Sequence, residues 1–210
     1  MKKVVLLNKQ PHGTPKLSDF KITSEEIPTA KDGELLLKTA YVSVDPYLRG
    51  RMKEAKSYVP SFELNKPIQS GVIAEVIKSK HADFKKGDFV SGNLDWKEHQ
   101  TSNGKGLHKV SSSDAKLSSY LWCNILYNET KVPLGPRLQP IILTKSATMR
   151  GFIIGDLSEK FPAATKQLTS WLNEGKIIFT ETIVEEFDNI PQAFLDLFEG
   201  KNKGKMIVKI

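Results

Sequence analysis

The sequence predicts a mainly β fold with an α/β pattern toward its C-terminus. Many short apolar segments, separated by Gly, Pro and Asp/Asn turns, follow one another at regular spacing in the first half. This spacing is typical of a β-barrel or a β-sandwich. The second half instead shows patterns in the order helix–strand–helix–strand.

In the first half, strands are predicted where apolar residues recur between turn residues. The predicted segments are Lys3–Leu7, Phe20–Ile27, Glu34–Val44, Ile68–Lys78, Phe89–Gly92, Glu98–Ser102 and His108–Val110. After the third of these, Asp45 followed by Pro46 predicts the start of a short helix. Residues 53–67 have no clear period and contain two prolines, which indicates a long exposed loop.

In the second half, helices alternate with strands. The apolar run 141–154 predicts an extended segment. Apolar residues at helical spacing between Phe161 and Asn173 predict an amphipathic helix, which ends before Gly175. The remaining predictions are a strand at Ile177–Val184, a helix at Ile190–Phe198 and a strand at Lys205–Ile210.

Composition excludes several classes of protein. The 210 residues are 39% hydrophobic with a net charge of +7, which is ordinary for a globular protein. The positive charge comes mostly from lysines mixed with acidic residues, which favours a solvated surface over a nucleic-acid groove. No apolar run reaches membrane-spanning length, so no membrane contact is expected. The single cysteine, Cys123, excludes an internal disulfide and a cysteine zinc cluster and indicates a reducing cytoplasm, and the four histidines lack metal-ligand spacing.

Several ordered motifs resemble one enzyme family along nearly the whole chain. The most specific is Val-Asp-Pro-Tyr-Leu-Arg-Gly-Arg-Met at 44–52, and further matches include 71–76, 84–92, 127–128, 149–154, 171–176, 189–194 and 200–208. Together they resemble the zinc-independent medium-chain dehydrogenases/reductases, in the branch of NADPH-dependent alkene reductases. The resemblance implies a GroES-like β-barrel substrate domain, completed by the C-terminal helix–strand–helix–strand segment.

The middle of the chain departs from that family. Members continue after a segment like 117–121 into a Rossmann domain, whose glycine-rich turn binds the cofactor pyrophosphate. Here Leu121 is followed at once by Trp122, and no G-x-G-x-x-G occurs anywhere in the chain. We therefore predict a substrate domain at 1–121, a remnant of the nucleotide-binding domain at 122–155 and a returning segment at 156–210. A natural deletion, a splice form and an engineered excision would each explain the missing part.

The resemblance also implies a set of site residues. The family's reaction delivers a hydride from NADPH to an α,β-unsaturated ketone or aldehyde, and the oxygen that gains charge needs hydrogen-bond donors. By resemblance, Tyr127 is the main donor and Tyr47 lines the same pocket. The residues implied to contact the cofactor are Asn128, Phe152, Ile153, Ile154, Asn202 and Gly204.

Each of these residues also has a purely structural interpretation. Tyr47 could anchor the short helix after Pro46, since a buried tyrosine usually finds a hydrogen-bond partner. Asn202 and Gly204 form a common turn pair. The apolar residues 152–154 could be core, or part of an exposed strand 141–154 through which a homodimer forms.

Three functions therefore compete at the level of sequence. The first is an NADPH-dependent reductase acting on a small enone or enal. The second is a non-catalytic GroES-like scaffold or interaction module, a remnant from which the nucleotide domain has been deleted. The third, a basic nucleic-acid binder, has little support. Without a pyrophosphate-binding turn, we expect NADPH to bind in the millimolar range at best, or not at all.

Overall fold

The computed structural model describes residues 1–54, 59–110, 137–151 and 154–210. Nine strands are described: β1 Lys2–Leu7, β2 Phe20–Glu25, β3 Leu35–Ser43, β4 Gln69–Ser79, β5 Phe89–Asp95, β6 His99–Ser102, β7 His108–Val110, β8 Glu181–Glu185 and β9 Lys205–Lys209. The α-helices in the same ranges are α1 Leu48–Arg51, α2 Gln139–Thr144, α3 Phe161–Asn173 and α4 Ile190–Asp196. Short 3-10 segments occupy Leu17–Asp19, Ile154–Lys160 and Phe187–Asn189. No helix in these ranges is long and apolar enough to cross a membrane.

The larger sheet is mixed and contains strands from both ends of the chain. Its order is β7-β5-β4-β3-β9-β8, and β6 pairs with β3 off this path. The neighbours are antiparallel except β8 and β9, which run parallel and are joined through α4. A parallel pair needs such a crossover, because a tight turn can only join antiparallel strands. β1 and β2 form a separate antiparallel pair.

The hydrophobic core joins the two ends of the chain. Trp96 is fully buried and its indole N–H donates to the Ser70 hydroxyl over 2.7 Å. The ring of Phe194, on α4, packs edge-to-face against Trp96 and Phe20 at centroid distances of 6.4 and 6.0 Å. Large aromatic rings at such distances contribute beyond their buried area. The C-terminal segment that carries Phe194 is therefore part of the same core as the N-terminal strands.

The described residues fall into two compact units. The first contains residues 1–110 together with 180–210, and the second contains the described residues between 131 and 179. The mainly β architecture and the C-terminal order α3-β8-α4-β9 confirm the predicted fold class. The predicted domain boundaries at 121 and 155 stay predictions, since residue 121 lies outside the described ranges.

One predicted element is wrong. The run 141–154 was expected to be extended, but its beginning lies in α2, where Ile142 N–H donates to Leu138 O over 2.9 Å and Lys145 N–H to Ile141 O over 3.0 Å. Pro140 occupies the first turn of this helix, where a missing N–H costs nothing. A short apolar run is compatible with either type of structure, and local helical bonds decide it here.

Candidate functional site

The Asp-Pro-Tyr motif lies where β3 ends and α1 begins. Leu48 N–H donates to Asp45 O over 3.1 Å and Arg49 N–H to Pro46 O over 3.0 Å, which turns the chain sharply into α1. The helix starts at Leu48 and its N-cap residue is Tyr47. The sequence predicted Asp45 as the N-cap, two positions earlier. Tyr47 is half-buried and packs against the core. Its phenol is thus held on a short, well-anchored helix.

A partly buried ion pair connects this motif to the C-terminal strand. The Lys205 ammonium contacts Asp45 Oδ1, and the side chains are only 8% and 17% exposed. The Ser43 hydroxyl donates to the other carboxylate oxygen of Asp45 over 2.5 Å. Since Lys205 directly follows Gly204 and Asp45 lies two residues before Tyr47, the pair brings two predicted site segments together. Asp45 is engaged here and does not cap α1.

The loop that precedes β9 is a tight turn. Gly200 and Gly204 have φ of +69° and +73°, which L-residues with a side chain rarely adopt. The Asn202 side-chain N–H donates to Gly204 O over 2.6 Å. Lys203 N–H donates to the Thr182 hydroxyl over 2.8 Å, which ties the loop to β8. Asn202 and Gly204 therefore do form the turn pair that was one of their two interpretations, and the turn presents them beside Lys205.

Arg49 ties α1 to the N-terminal loop. It is only 3% exposed, and its Nε and Nη2 groups donate to Gly13 O over 3.1 and 2.8 Å, with Nη2 also donating to Pro11 O over 2.9 Å. Burial lowers the pKa of Arg49, while the charge of Asp19 raises it. The described part of the chain offers Arg49 Nη1 no hydrogen-bond partner. A buried cation of this kind fixes the loop at 11–13 against the helix that carries Tyr47.

The predicted site residues divide into three groups. Tyr127, Asn128, Phe152 and Ile153 lie outside the described residues. Ile154 begins the 3-10 segment Ile154–Lys160. Tyr47 lies on the segment that the ion pair joins to Asn202 and Gly204.

The sequence analysis missed Asp45 and Lys205. The two residues are 160 positions apart, so no local spacing joins them. The signal that could have found them is their placement, because each lies inside a segment that carries the family resemblance and next to a predicted site residue. In the described ranges no cluster of three or more His, Cys, Asp or Glu could hold a metal ion.

A cavity of about 440 Å³ opens elsewhere on the first unit. Glu25, Asp95 and Lys97 are among the residues that line it, and none of the predicted site residues does. The Lys97 ammonium contacts Glu25 over 2.9 Å and Asp95 over 3.7 Å. The lining is therefore a structural ion-pair network, separate from the candidate site.

Comparisons with known proteins agree with this architecture. A family model described as the N-terminal domain of oxidoreductase matches residues 3–110. Prostaglandin reductase 1 of Rattus norvegicus is 33% identical over 331 aligned residues, which cover 97% of each chain. YfmJ of Bacillus subtilis is 29% identical over 329 aligned residues, covering 98% of this chain and 97% of that protein. The crystal structure of CurA from Vibrio vulnificus in complex with NADPH superimposes with a TM-score of 0.85 at 22% identity, over 99% of this chain and 98% of that one.

These alignments are longer than the chain itself. The alignment with YfmJ has 329 positions and the chain has 210 residues, so at least 119 positions (329 − 210) face no residue of this chain. The matches nonetheless include the Asp-Pro-Tyr segment, which lies within residues 3–110. The chain belongs to the medium-chain dehydrogenase/reductase family, in the branch of NADPH-dependent alkene reductases that includes prostaglandin reductase 1.

Proposed function

We propose that this chain is the substrate-side part of an NADPH-dependent reductase of α,β-unsaturated ketones or aldehydes, and that alone it reduces them poorly or not at all. The observation that carries the proposal is the intact Asp45–Lys205 connection between the Asp-Pro-Tyr segment and the 200–204 loop, in a chain without a dinucleotide-binding turn. Relatives named for reduction of prostaglandins and 2-alkenals support the substrate class.

The chain's own residues suit one end of the cofactor and not the other. Asn202 uses its side-chain N–H within the loop, and a carboxamide oxygen can still accept a hydrogen bond. This arrangement is compatible with the amide of a nicotinamide ring beside Gly204. Asn128 and the residues 152–154 would complete that contact by family resemblance. No G-x-G-x-x-G turn is present for the pyrophosphate, so we propose that NADPH affinity is weak.

Tyr47 and Tyr127 would act on the substrate. NADPH supplies the hydride when it is bound, and negative charge then develops on the carbonyl oxygen of the substrate. A neutral phenol is a suitable donor to that oxygen at pH 7. We propose Tyr127 as the main donor and Tyr47 as the second group in the same pocket, with no zinc ion involved.

A second candidate is a non-catalytic module with the same fold. It is favoured by exposed apolar side chains in the second unit, such as Ile141 at 56%, Leu143 at 79% and Met149 at 72%. Surfaces of this kind commonly mark contacts with another protein. We propose self-association into a homodimer as the simplest way to cover them. We also propose that the protein is cytoplasmic and that its domains are those predicted from the sequence, at 1–121, 122–155 and 156–210.

An equilibrium titration with NADPH, followed by nicotinamide fluorescence with NADH as control, tests the weak cofactor affinity that both candidates imply. We expect no saturation below millimolar NADPH. Saturable binding in the micromolar range would contradict weak affinity and exclude the non-catalytic module. Enone reduction would then be compared for the wild type, Tyr127→Phe and Tyr47→Phe, where loss of activity without loss of NADPH binding supports the donor roles.

A further inference from the structure

Arg51 shares a face of α1 with Tyr47. Tyr47 is the N-cap residue and Arg51 the last residue of this helix, so the two side chains are four positions apart. Residues at this spacing are neighbours on a helix surface, with Cβ atoms about 5–6 Å apart. The backbone therefore places the two residues as neighbours on one face of α1.

The side chain of Arg51 is held firmly. Its guanidinium carbon lies 4.0 Å from the centre of the buried Phe62 ring, and its Nε donates to Pro60 O over 3.0 Å. The backbone adds a third contact, because Phe62 N–H donates to Arg51 O over 2.6 Å. A cation over an aromatic face gains electrostatic attraction from the ring. Arg51 thus keeps one orientation relative to α1.

No carboxylate within residues 1–54, 59–110, 137–151 and 154–210 forms an ion pair with Arg51. The nearest acidic group in the motif, Asp45, is engaged by Lys205 and Ser43. Burial lowers the pKa of Arg51, and the phenol of Tyr47 raises it. This attraction acts in both directions, since a cation that is favoured by a phenolate also favours that phenolate.

We propose that Arg51 is a positioning residue that acts through Tyr47, because its fixed positive charge stabilises negative charge on the phenol oxygen. A phenol that can tolerate more negative charge is a stronger hydrogen-bond donor to an oxyanion. The ligand favoured at this place is thus a substrate whose oxygen becomes enolate-like, and no proton has to leave Tyr47 for the effect. The inference rests on the proposed role of Tyr47 as a donor.

The test measures the pKa of Tyr47 directly in the cofactor-free chain. The protein is prepared with 13Cζ-labelled tyrosine, the Tyr47 signal is assigned by its loss in Tyr47→Phe, and pH is titrated by NMR. In Arg51→Gln the amide can still lie over Phe62 and donate to Pro60 O, but the charge is gone. We expect its Tyr47 pKa to rise by about one unit, at the lower end of the shifts caused by a neighbouring opposite charge. Arg51→Met is a second neutral variant.

Two comparisons separate the charge from a structural role. Arg51→Lys should return the Tyr47 pKa toward the wild-type value, whereas an equal rise in Arg51→Lys and Arg51→Gln would overturn the proposal. Lys80→Gln removes an equal charge that pairs with Asp32 elsewhere and should leave Tyr47 unchanged. An unchanged Tyr47 pKa in folded Arg51→Gln would likewise overturn it. Because this titration needs neither NADPH nor substrate, its outcome is independent of whether the chain proves to be a reductase.

Discussion

Gly204 is the position where the 200–204 loop depends most strictly on glycine. It combines a φ of +73° with a backbone contact, since a Cβ at this position would collide with the carbonyl of Thr180. That carbonyl accepts a hydrogen bond from Lys205 N–H over 3.0 Å, which joins the start of β9 to the residue before β8. Gly200 has nearly the same φ, +69°, but among the described residues no atom beyond its immediate chain neighbours lies within 4 Å of its Cβ position. Comparing alanine substitutions at the two glycines therefore separates the cost of backbone strain from the cost of the collision with Thr180.

The expected cost of each substitution follows from these contacts. Alanine in the left-handed region costs about 1 kcal/mol, and both Gly200→Ala and Gly204→Ala have this penalty. Gly204→Ala must also move the Thr180 carbonyl away from the new Cβ and weaken its hydrogen bond to Lys205, and the backbone displacement and the weakened bond together add about 2 kcal/mol. We expect destabilisation by about 1 kcal/mol for Gly200→Ala and about 3 kcal/mol for Gly204→Ala.

Urea unfolding followed by circular dichroism measures both variants against the wild type. The slope of the free energy of unfolding against urea should be unchanged, so the difference lies in the midpoint. Equal destabilisation by the two substitutions, within about 0.5 kcal/mol, would show that the contact with Thr180 relaxes without cost and would refute the reasoning.

Two further predictions concern buried charges in the first unit. Asp45→Asn and Lys205→Met should each destabilise the protein by about 2 kcal/mol because each leaves a partly buried charge without its counter-charge. A double-mutant cycle by urea unfolding should give a coupling of at least about 1 kcal/mol, and additive effects would contradict the pairing. Burial lowers the pKa of His99 below its ordinary value of 6.5, and the positive charge of Lys2 lowers it further. The folded state therefore binds the proton less tightly than the unfolded chain, so the protein loses stability as pH falls below 6.5. His99→Gln should flatten that pH dependence in thermal unfolding, whereas the exposed control His12→Gln should not, and equal slopes for the wild type and His99→Gln would contradict the effect of burial.

How well the sequence predicted an element depended on how local its determinants are. The bounds of α3 agree with the structure because apolar spacing and Gly175 mark the helix within the segment itself. The strand predicted from Ile177 begins only at Glu181, because pairing with β9 and not apolar character decides where it starts. The error at 141–154 has a similar origin: apolar residues without a pairing partner form the local hydrogen bonds of α2.

In the candidate site, too, local features could be predicted from the sequence and long-range contacts could not. The Asp-Pro-Tyr motif and the glycines around Asn202 were visible in the sequence because each lies in one continuous segment. The Asp45–Lys205 pair was not, because the two side chains meet only after β9 has been inserted beside β3. The contact of Arg51 with Phe62 likewise joins two residues that no helix or strand spacing pairs in the sequence.

The larger sheet of the first unit is assembled by strands from both ends of the chain. β7 and β8 follow one another among the described strands but occupy opposite edges of the sheet, and β9 enters between β3 and β8. β9 pairs with β3 from Tyr41 opposite Lys209 to Ser43 opposite Ile207. This register therefore depends on residues from the N-terminal and C-terminal parts of the chain. Because these contacts join the two ends of the chain directly, a change in the length of chain between β7 and β8 leaves them intact, and the stability of this sheet does not depend on that length.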